Sequence, residues 1–563
     1  MTGEQDGQRR KPSAHTGDRG QRRVRTAVVV VHGMGEQLPL ETLDRFVRTA
    51  LPKIGGERLY YSRPALITKS FEARRHLAFR RTESGHLVHG QAEFFEYHWS
   101  YLMTGNRLAD LLPTLRRLLI RRPSTVPAGL RVLWWIAWAL VVLLAAILLA
   151  LLAAGVLISE FTLNGVLAAL LGQSVLVAAL LAATKKLGGQ ISDSFVDVVR
   201  YLDRSPRSYE ARRAIRAGMV DLLRALRDDG RYARIVVVAH SLGAFIAHDG
   251  LTSLWAETSG MYGGSDPKPT TDGSPAPLPG LSQLESAAAV VLTHPLDRLD
   301  EHQHRELDNY HAQQFTLWRG VRAQGNPWLV TDLVTVGTPM CFADLLYTRN
   351  RAKFDRLIAR GEIAQDPPMT STRTVEATTA GKPRYGRARG GRTVLTSGAP
   401  FAVVRWTNLY FPTEHGWFGD WFGGPLRPLF GPGVRDIAVQ GNLPGRRTPG
   451  LAHRRYSTTP TRPTPATSHP SCGRHCGWTS KTNSSTCSTP RTRNQAPNRR
   501  FRPQRCHARQ HVTRMMQRGA LIQLAGRVLI STRLVHTAGS KVTLRNCGAT
   551  NDTTAGEVNR SRA

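Results

Sequence analysis

The chain is expected to form an α/β fold: a mostly parallel sheet with helices on both faces, an inserted two-helix transmembrane hairpin, and a disordered basic C-terminal tail. Three observations predict it. The apolar runs Val28 to Val31 and Ile235 to Val238 have the length and β-branched content of strands buried on both faces, and each ends in a glycine turn. Such strands alternate with longer segments of helical period, the pattern of a parallel sheet. Between 132 and 184 lie two long uncharged stretches that no soluble α/β core requires.

Residues 1–23 are Gly, Gln, Arg and Lys without apolar period, which predicts a disordered arm and lacks the apolar centre of a signal peptide. The folded domain is expected over 24–456. Its first strand runs into His32-Gly33-Met34-Gly35, a glycine loop able to aim backbone N–H groups at developing negative charge. Ala92 to Tyr97 reads as a short strand followed by His98-Trp99, and Leu108 to Ile120 as a helix with basic flanks.

Val132 to Ile158 is 27 residues without a charge, and Phe161 to Thr184 is a second uncharged run. A bilayer core takes roughly 20 helical residues, so each run suffices to span it. The short link at Ser159-Glu160 makes the pair a hairpin, with Trp134, Trp135 and Trp138 near one interface as an aromatic belt. Arg116, Arg117, Arg121, Arg122 and Arg131 precede it and Lys185 and Lys186 follow it, whereas the turn contributes Glu160 alone. By the positive-inside bias this predicts a multi-pass membrane protein with its catalytic-sized domain in the cytoplasm. The alternative is a buried helical hairpin in a soluble lid.

Ser194 to Leu226 has helical period and dense Arg. Thr258 to Leu281 and Gln365 to Ser397, rich in Gly, Pro, Ser and Thr, read as surface insertions. Between them Leu333 to Val336 is a strand ending at Gly337-Thr338-Pro339, and Ala402 to Trp406 is another.

The formal charge of +35 is uneven. From Leu443 onward there are 22 Lys and Arg against Asp552 and Glu557, but no aromatic-interleaved basic motif or zinc-finger spacing accompanies them, so nucleic acid is not an expected partner. Cys341 is the single cysteine before the tail, while Cys472, Cys476, Cys487, Cys506 and Cys547 lie in it. The body therefore carries no disulfide framework, and Cys472-x-x-x-Cys476 lacks a second ligand pair for zinc. Residues 457–563 read either as a disordered extension or as the product of a frameshift. A cysteine-rich segment almost free of acids favours the latter, because disordered tails are usually poor in Cys.

Ala239-His240-Ser241-Leu242-Gly243 sits between an apolar strand and Ala244-Phe245-Ile246-Ala247, giving the strand, tight turn and helix that expose a nucleophilic serine. A serine hydroxyl is a weak nucleophile until an imidazole takes its proton and a carboxylate orients that imidazole. His240, next to Ser241, is expected to point away on the turn and to serve as a packing or hydrogen-bonding residue. Asp420, ahead of Trp421-Phe422-Gly423-Gly424-Pro425, is the candidate acid, with Glu414 and Asp436 as rivals. Gly423-Gly424 has no phosphate-loop context, so no nucleotide is indicated.

These segments, His32 to Gly35, Phe94 to Trp99, Ile235 to Gly243, Val334 to Pro339 and Trp406 to Pro425, together resemble lipase-like serine α/β-hydrolases, particularly membrane-associated bacterial members with an inserted hydrophobic hairpin. The resemblance runs from about Val24 to Tyr456 and departs from the commonest elbow at Ala239, where Gly is usual. It implies a Ser-Asp-His triad of Ser241, Asp420 and His453, the last in a His-x-x-Tyr segment, although a histidine solvated in a basic loop is the competing reading of His453. It implies an oxyanion hole from the N–H of Leu242 and of Met34 or Gly33, and hydrolysis of lipid or other apolar acyl esters through an acyl-enzyme, with no metal or cofactor. Transfer of the acyl group to an alcohol would use the same residues. The alternative from another class is a catalytically inactive membrane protein that keeps the scaffold for binding or anchoring, whose mark would be His453 displaced from Ser241.

Overall fold

The computed structural model describes residues 25–150 and 197–439, with interruptions of which the longest are 51–59, 66–72, 104–115 and 370–382, together with His453 and Tyr456. The elements are β1 (Arg25–Val31), α1 (Glu41–Ala50), β2 (Tyr60–Ala65), β3 (Ala73–Arg81), β4 (Leu87–Tyr97), α2 (Pro206–Asp228), β5 (Tyr232–His240), α3 (Gly243–Thr258), α4 (Leu281–Val291), α5 (Glu301–Ala323), β6 (Val330–Val336), α6 (Arg351–Ala359), β7 (Gly386–Arg389), β8 (Arg392–Leu395), β9 (Arg405–Tyr410) and β10 (Arg435–Ala438), besides short helical turns.

Eight strands form one sheet in the order β10-β9-β6-β5-β1-β4-β3-β2. The six from β10 to β4 are parallel, and β3 and β2 extend the β4 edge antiparallel. The chain leaves β1 toward β4 on one side and later returns to lay β5 on the other. The carboxyl ends of β1 and β5 therefore diverge into the crevice where ligands of open α/β sheets bind. In register, Val31 faces Ala239 and His240 faces Val336, so the loops after β1, β5 and β6 emerge side by side.

The sheet is buried on both faces because β1 and β5 are apolar on both. One face carries Val29, Val31, Val237 and Ala239 against α2 and α3, with Phe245, Leu251 and Trp255 fully buried. The other carries Val28, Val30, Phe94 and Val236 against Leu43, Phe46 and Val47 of α1. Helices thus lie on both faces, as expected.

Several boundaries differ from the sequence reading. The strand expected from Ala402 starts at Arg405, because Pro400 to Ala402 form a 3₁₀ turn and proline withholds a ladder donor. Within the expected insertion Gln365 to Ser397, β7 and β8 pair as a hairpin around Gly390, whose φ of 59° suits a tight turn. In the expected insertion Thr258 to Leu281, the described residues between the end of α3 and the start of α4 are irregular, apart from a bridge between Ala276 and Arg392.

The expected arm 1–23 and tail 457–563, with its five cysteines, lie outside the described residues, as does most of the expected hairpin 132–184. Within its described part, Trp134 is buried while Trp135, Trp138, Val142 and Leu149 stand exposed. Among the described residues no helix is long and apolar enough to cross a membrane.

Candidate active site

Ser241 follows β5 immediately and has φ 54°, a left-handed conformation that costs a non-glycine residue about 1–3 kcal/mol. The surroundings hold it there. Its N–H donates to the Val336 carbonyl at 3.0 Å, and its carbonyl accepts from Thr338 Oγ1 and from the Ala244 N–H, each at 3.1 Å. Gly243 is required by close approach, since a Cβ there would sit 2.6 Å from the carbonyl oxygens of both Val31 and His32. Ala239, where a first glycine is more usual, is buried in the sheet between Val31 and Thr335, and its methyl is accommodated.

Asp420 and His453 come to this elbow from distant sequence. His453 Nε2 lies 2.9 Å from Ser241 Oγ, and its Nδ1 lies 3.1 Å from each oxygen of Asp420. Only one tautomer satisfies both contacts: Nδ1–H donates to the carboxylate, and Nε2 accepts from the serine hydroxyl. Asp420 is wholly buried, and its Oδ1 accepts from the Phe422 N–H at 2.8 Å. Its other oxygen accepts from Tyr456 Oη at 2.8 Å. The sequence-predicted triad residues are therefore brought together, and His453 is buried rather than solvated.

The rival acids are not at this site. Asp436 accepts from the N–H groups of Leu426 and Arg427 and from Asn408 Nδ2 at 2.7 Å, a set that closes the loop after β9. Glu414 lies outside the described residues.

The glycine loop after β1 reaches the serine. A Cβ on Gly33 would lie 2.9 Å from Ser241 Cβ, so its backbone runs against the nucleophile. His32 fixes that backbone from inside the fold. Its Nδ1–H donates to the Gly33 carbonyl at 2.9 Å while its Nε2 accepts from the Trp99 N–H at 3.2 Å. Since C=O and N–H of one peptide point oppositely, tying the Gly33 carbonyl turns the Met34 N–H to the other side of the loop. Burial holds His32 down to about 3, so it stays neutral and keeps this tautomer. Leu242 is the N-cap of α3, and its N–H lies at the positive end of a 16-residue helix. Leu242, directly after Ser241, and the Gly33 backbone thus both lie beside the serine, the two segments to which the sequence assigns oxyanion donors.

His240 was expected to point away. It does pack and hydrogen-bond, but toward the site rather than away from it: its ring lies 5.3 Å from that of His453, and its Nε2–H donates to the His453 carbonyl at 3.3 Å. Burial, followed by the neighbouring His453, pushes it down to about 3. It therefore stays neutral and holds the His453 main chain as a donor. Tyr456, His240 and His32 have no role at the site in the sequence reading; the His-x-x-Tyr spacing is the available signal for the first.

Among the described residues no group of His, Cys, Asp and Glu is placed to hold a metal ion. A separate cavity of about 690 Å³ lies between α2 and α3, and its charges pair across it, Arg216 with Asp249 at 2.8 Å and Arg224 with Glu257 at 2.7 Å. No protein family, characterised protein or solved structure matches the chain.

Proposed function

We propose that the chain is a serine hydrolase of the α/β-hydrolase type that cleaves lipid or other apolar acyl esters from a membrane anchor formed by 132–184. One observation carries this reading: the unbroken contact from Ser241 Oγ through His453 to Asp420, at 2.9 and 3.1 Å. Nucleophile and base are within proton-transfer reach, and the base is oriented by a buried carboxylate.

In this mechanism Ser241 Oγ attacks the ester carbonyl carbon as its proton passes to His453 Nε2. The carbonyl π electrons move to oxygen, and the resulting oxyanion faces the N–H groups of Leu242 and of Met34 or Gly33. Collapse re-forms the carbonyl and breaks the bond to the alcohol, which leaves with the proton from His453. Water then attacks the acyl-enzyme by the same route, giving the carboxylic acid and restoring Ser241. The Asp420 carboxylate orients His453 and stabilises the imidazolium in both halves.

Support for the membrane site comes from the uncharged run Val132 to Ile158, the cationic flanks on either side of the hairpin, and the exposed faces of Trp135 and Trp138. A domain held at a bilayer surface meets acyl esters of low water solubility where they are concentrated. The inactive-scaffold alternative would have His453 displaced from Ser241, and the 2.9 Å contact counts against it.

The test is labelling of membrane fractions with a fluorophosphonate probe, comparing the full chain with its Ser241→Ala variant. Labelling of the first and not of the second is expected. A folded full chain that fails to label would overturn the proposal.

A further inference from the structure

We infer that Tyr456 is a positioning residue of the hydrolytic site, a hydroxyl that fixes the Asp420 carboxylate and sets how strongly that carboxylate holds the His453 imidazolium. The inference rests on the triad reading given above. The Tyr456 hydroxyl is committed on both sides. Tyr456 Oη donates to Asp420 Oδ2 at 2.8 Å and accepts from the Phe411 N–H at 2.8 Å. Phe411 directly follows β9, the strand whose loop carries Asp420, so the phenol ties the carboxylate to the sheet.

The fold makes room for this ring at two glycines. Gly337, at the end of β6, has φ 52°, and a Cβ there would lie 2.2 Å from Tyr456 Cε2. A Cβ on Gly423 would lie 2.4 Å from Asp420 Oδ2 and 3.0 Å from Tyr456 Oη. Space at two loop glycines is thus given to the phenol and its contact with the acid. Tyr456 is 4% exposed, and burial, then the nearby Asp420, hold its phenol well above the ordinary tyrosine range, which keeps it a donor.

The two oxygens of Asp420 then have separate donors besides the base: the Phe422 N–H on Oδ1 and Tyr456 on Oδ2. His453 Nδ1 is equidistant from both oxygens. A hydrogen bond from the phenol draws charge away from the carboxylate. Removing it leaves Oδ2 without its phenol, so that the carboxylate is tethered only through Oδ1 by the Phe422 N–H and becomes a stronger partner for the imidazolium; the base is then worse aimed and more easily protonated.

The experiment compares the full chain with Tyr456→Phe and with 3-fluorotyrosine incorporated at 456, using a short-chain p-nitrophenyl ester in detergent. Rates are normalised to the fraction labelled by a fluorophosphonate. Tyr456→Phe should lower kcat about 10- to 100-fold with little change in KM, the range for loss of a hydrogen bond to a charged group. The acid limb of its kcat/KM profile should move to higher pH. Fluorotyrosine, a stronger donor in an almost unchanged ring, should move that limb to lower pH and so reports even if the phenylalanine variant folds poorly. A labelled, active parent whose acid limb is unmoved by either change would overturn the role of Tyr456 alone. A folded parent that neither labels nor hydrolyses would overturn the triad reading and this inference with it.

Discussion

Gly33 and Ser241 approach so closely that a methyl group on the glycine would stand 2.9 Å from the serine Cβ and 2.6 Å from His240 Nδ1. The loop after β1 and the elbow after β5 are therefore fitted to one another at residues without side chains, Gly33 on the loop and Gly243 on the elbow. On the proposed oxyanion hole, Gly33→Ala should push the Gly33-Met34 loop away from Ser241 while leaving the buried sheet intact. A fall in kcat of about 10²–10³-fold is expected, as for loss of one oxyanion donor. Steady-state kinetics together with a melting curve check this; unchanged kcat in the folded variant would remove the loop from the site.

Asp420→Asn is expected to keep the geometry and lose the chemistry. An amide at 420 can present its NH₂ to His453 Nδ1, which favours the tautomer with the proton on Nε2, where it opposes acceptance from Ser241 Oγ. A drop of about 10⁴-fold in kcat is expected from that reversal. By contrast Asp436→Asn should cost stability and leave kcat within a few-fold, because Asp436 serves the N–H groups of Leu426 and Arg427. Parallel kinetics and urea unfolding of the two variants separate the catalytic from the structural acid.

That pair also marks how far the sequence could be read. Ser241 was legible because an apolar strand, a tight turn and a glycine are all local features, and β1, β5 and β6 were legible because strands buried on both faces are unbroken apolar runs. The strands β2 and β3 were not. Ala73 to Arg81 carries four arginines, and its membership of the sheet comes from pairing with β4 rather than from its own hydrophobic period. Choosing among Glu414, Asp420 and Asp436 depended on which carboxylate the loop after β9 leaves facing His453, a matter of tertiary hydrogen bonding that one-dimensional spacing does not encode. The packing and hydrogen-bonding character of His240 was legible, but its direction was not, because that is set by the His453 main chain, 213 residues away in sequence.

Removal of 132–184, with a short Gly/Ser linker in its place, should release the protein from membranes. The full chain is expected to stay with the membrane fraction after alkaline carbonate washing and the deletion variant to appear in the supernatant, still labelled by a fluorophosphonate. Activity toward a soluble short-chain ester should be retained, and activity toward vesicle-borne ester should fall. A full chain extracted by carbonate would refute bilayer insertion and favour a soluble helical hairpin.

Stability should depend on pH through Glu96. This residue faces Val30 in the sheet, is 3% exposed, and accepts the N–H of Leu40 at 2.5 Å, just ahead of α1. Its Oε1 is buried without a hydrogen-bond partner among the described residues, and Glu41 and Asp44 lie in the first turn of α1 nearby. Burial, reinforced by those two acids, raises its carboxyl from 4.5 to about 7. Between those values the folded protein binds a proton that the unfolded chain releases, so this group makes stability fall as pH rises. The loss begins near 4.5, proceeds through the folded value and levels off above it, on the order of 3 kcal/mol in total. Glu96→Gln keeps an acceptor for the Leu40 N–H and removes the titration. It should be the more stable form at about pH 8 and lose that advantage near pH 5, as read from urea midpoints of the two proteins at each pH. Midpoints that shift in parallel would mean that Glu96 is ionised throughout in the native state, solvated or paired beyond the contact to Leu40.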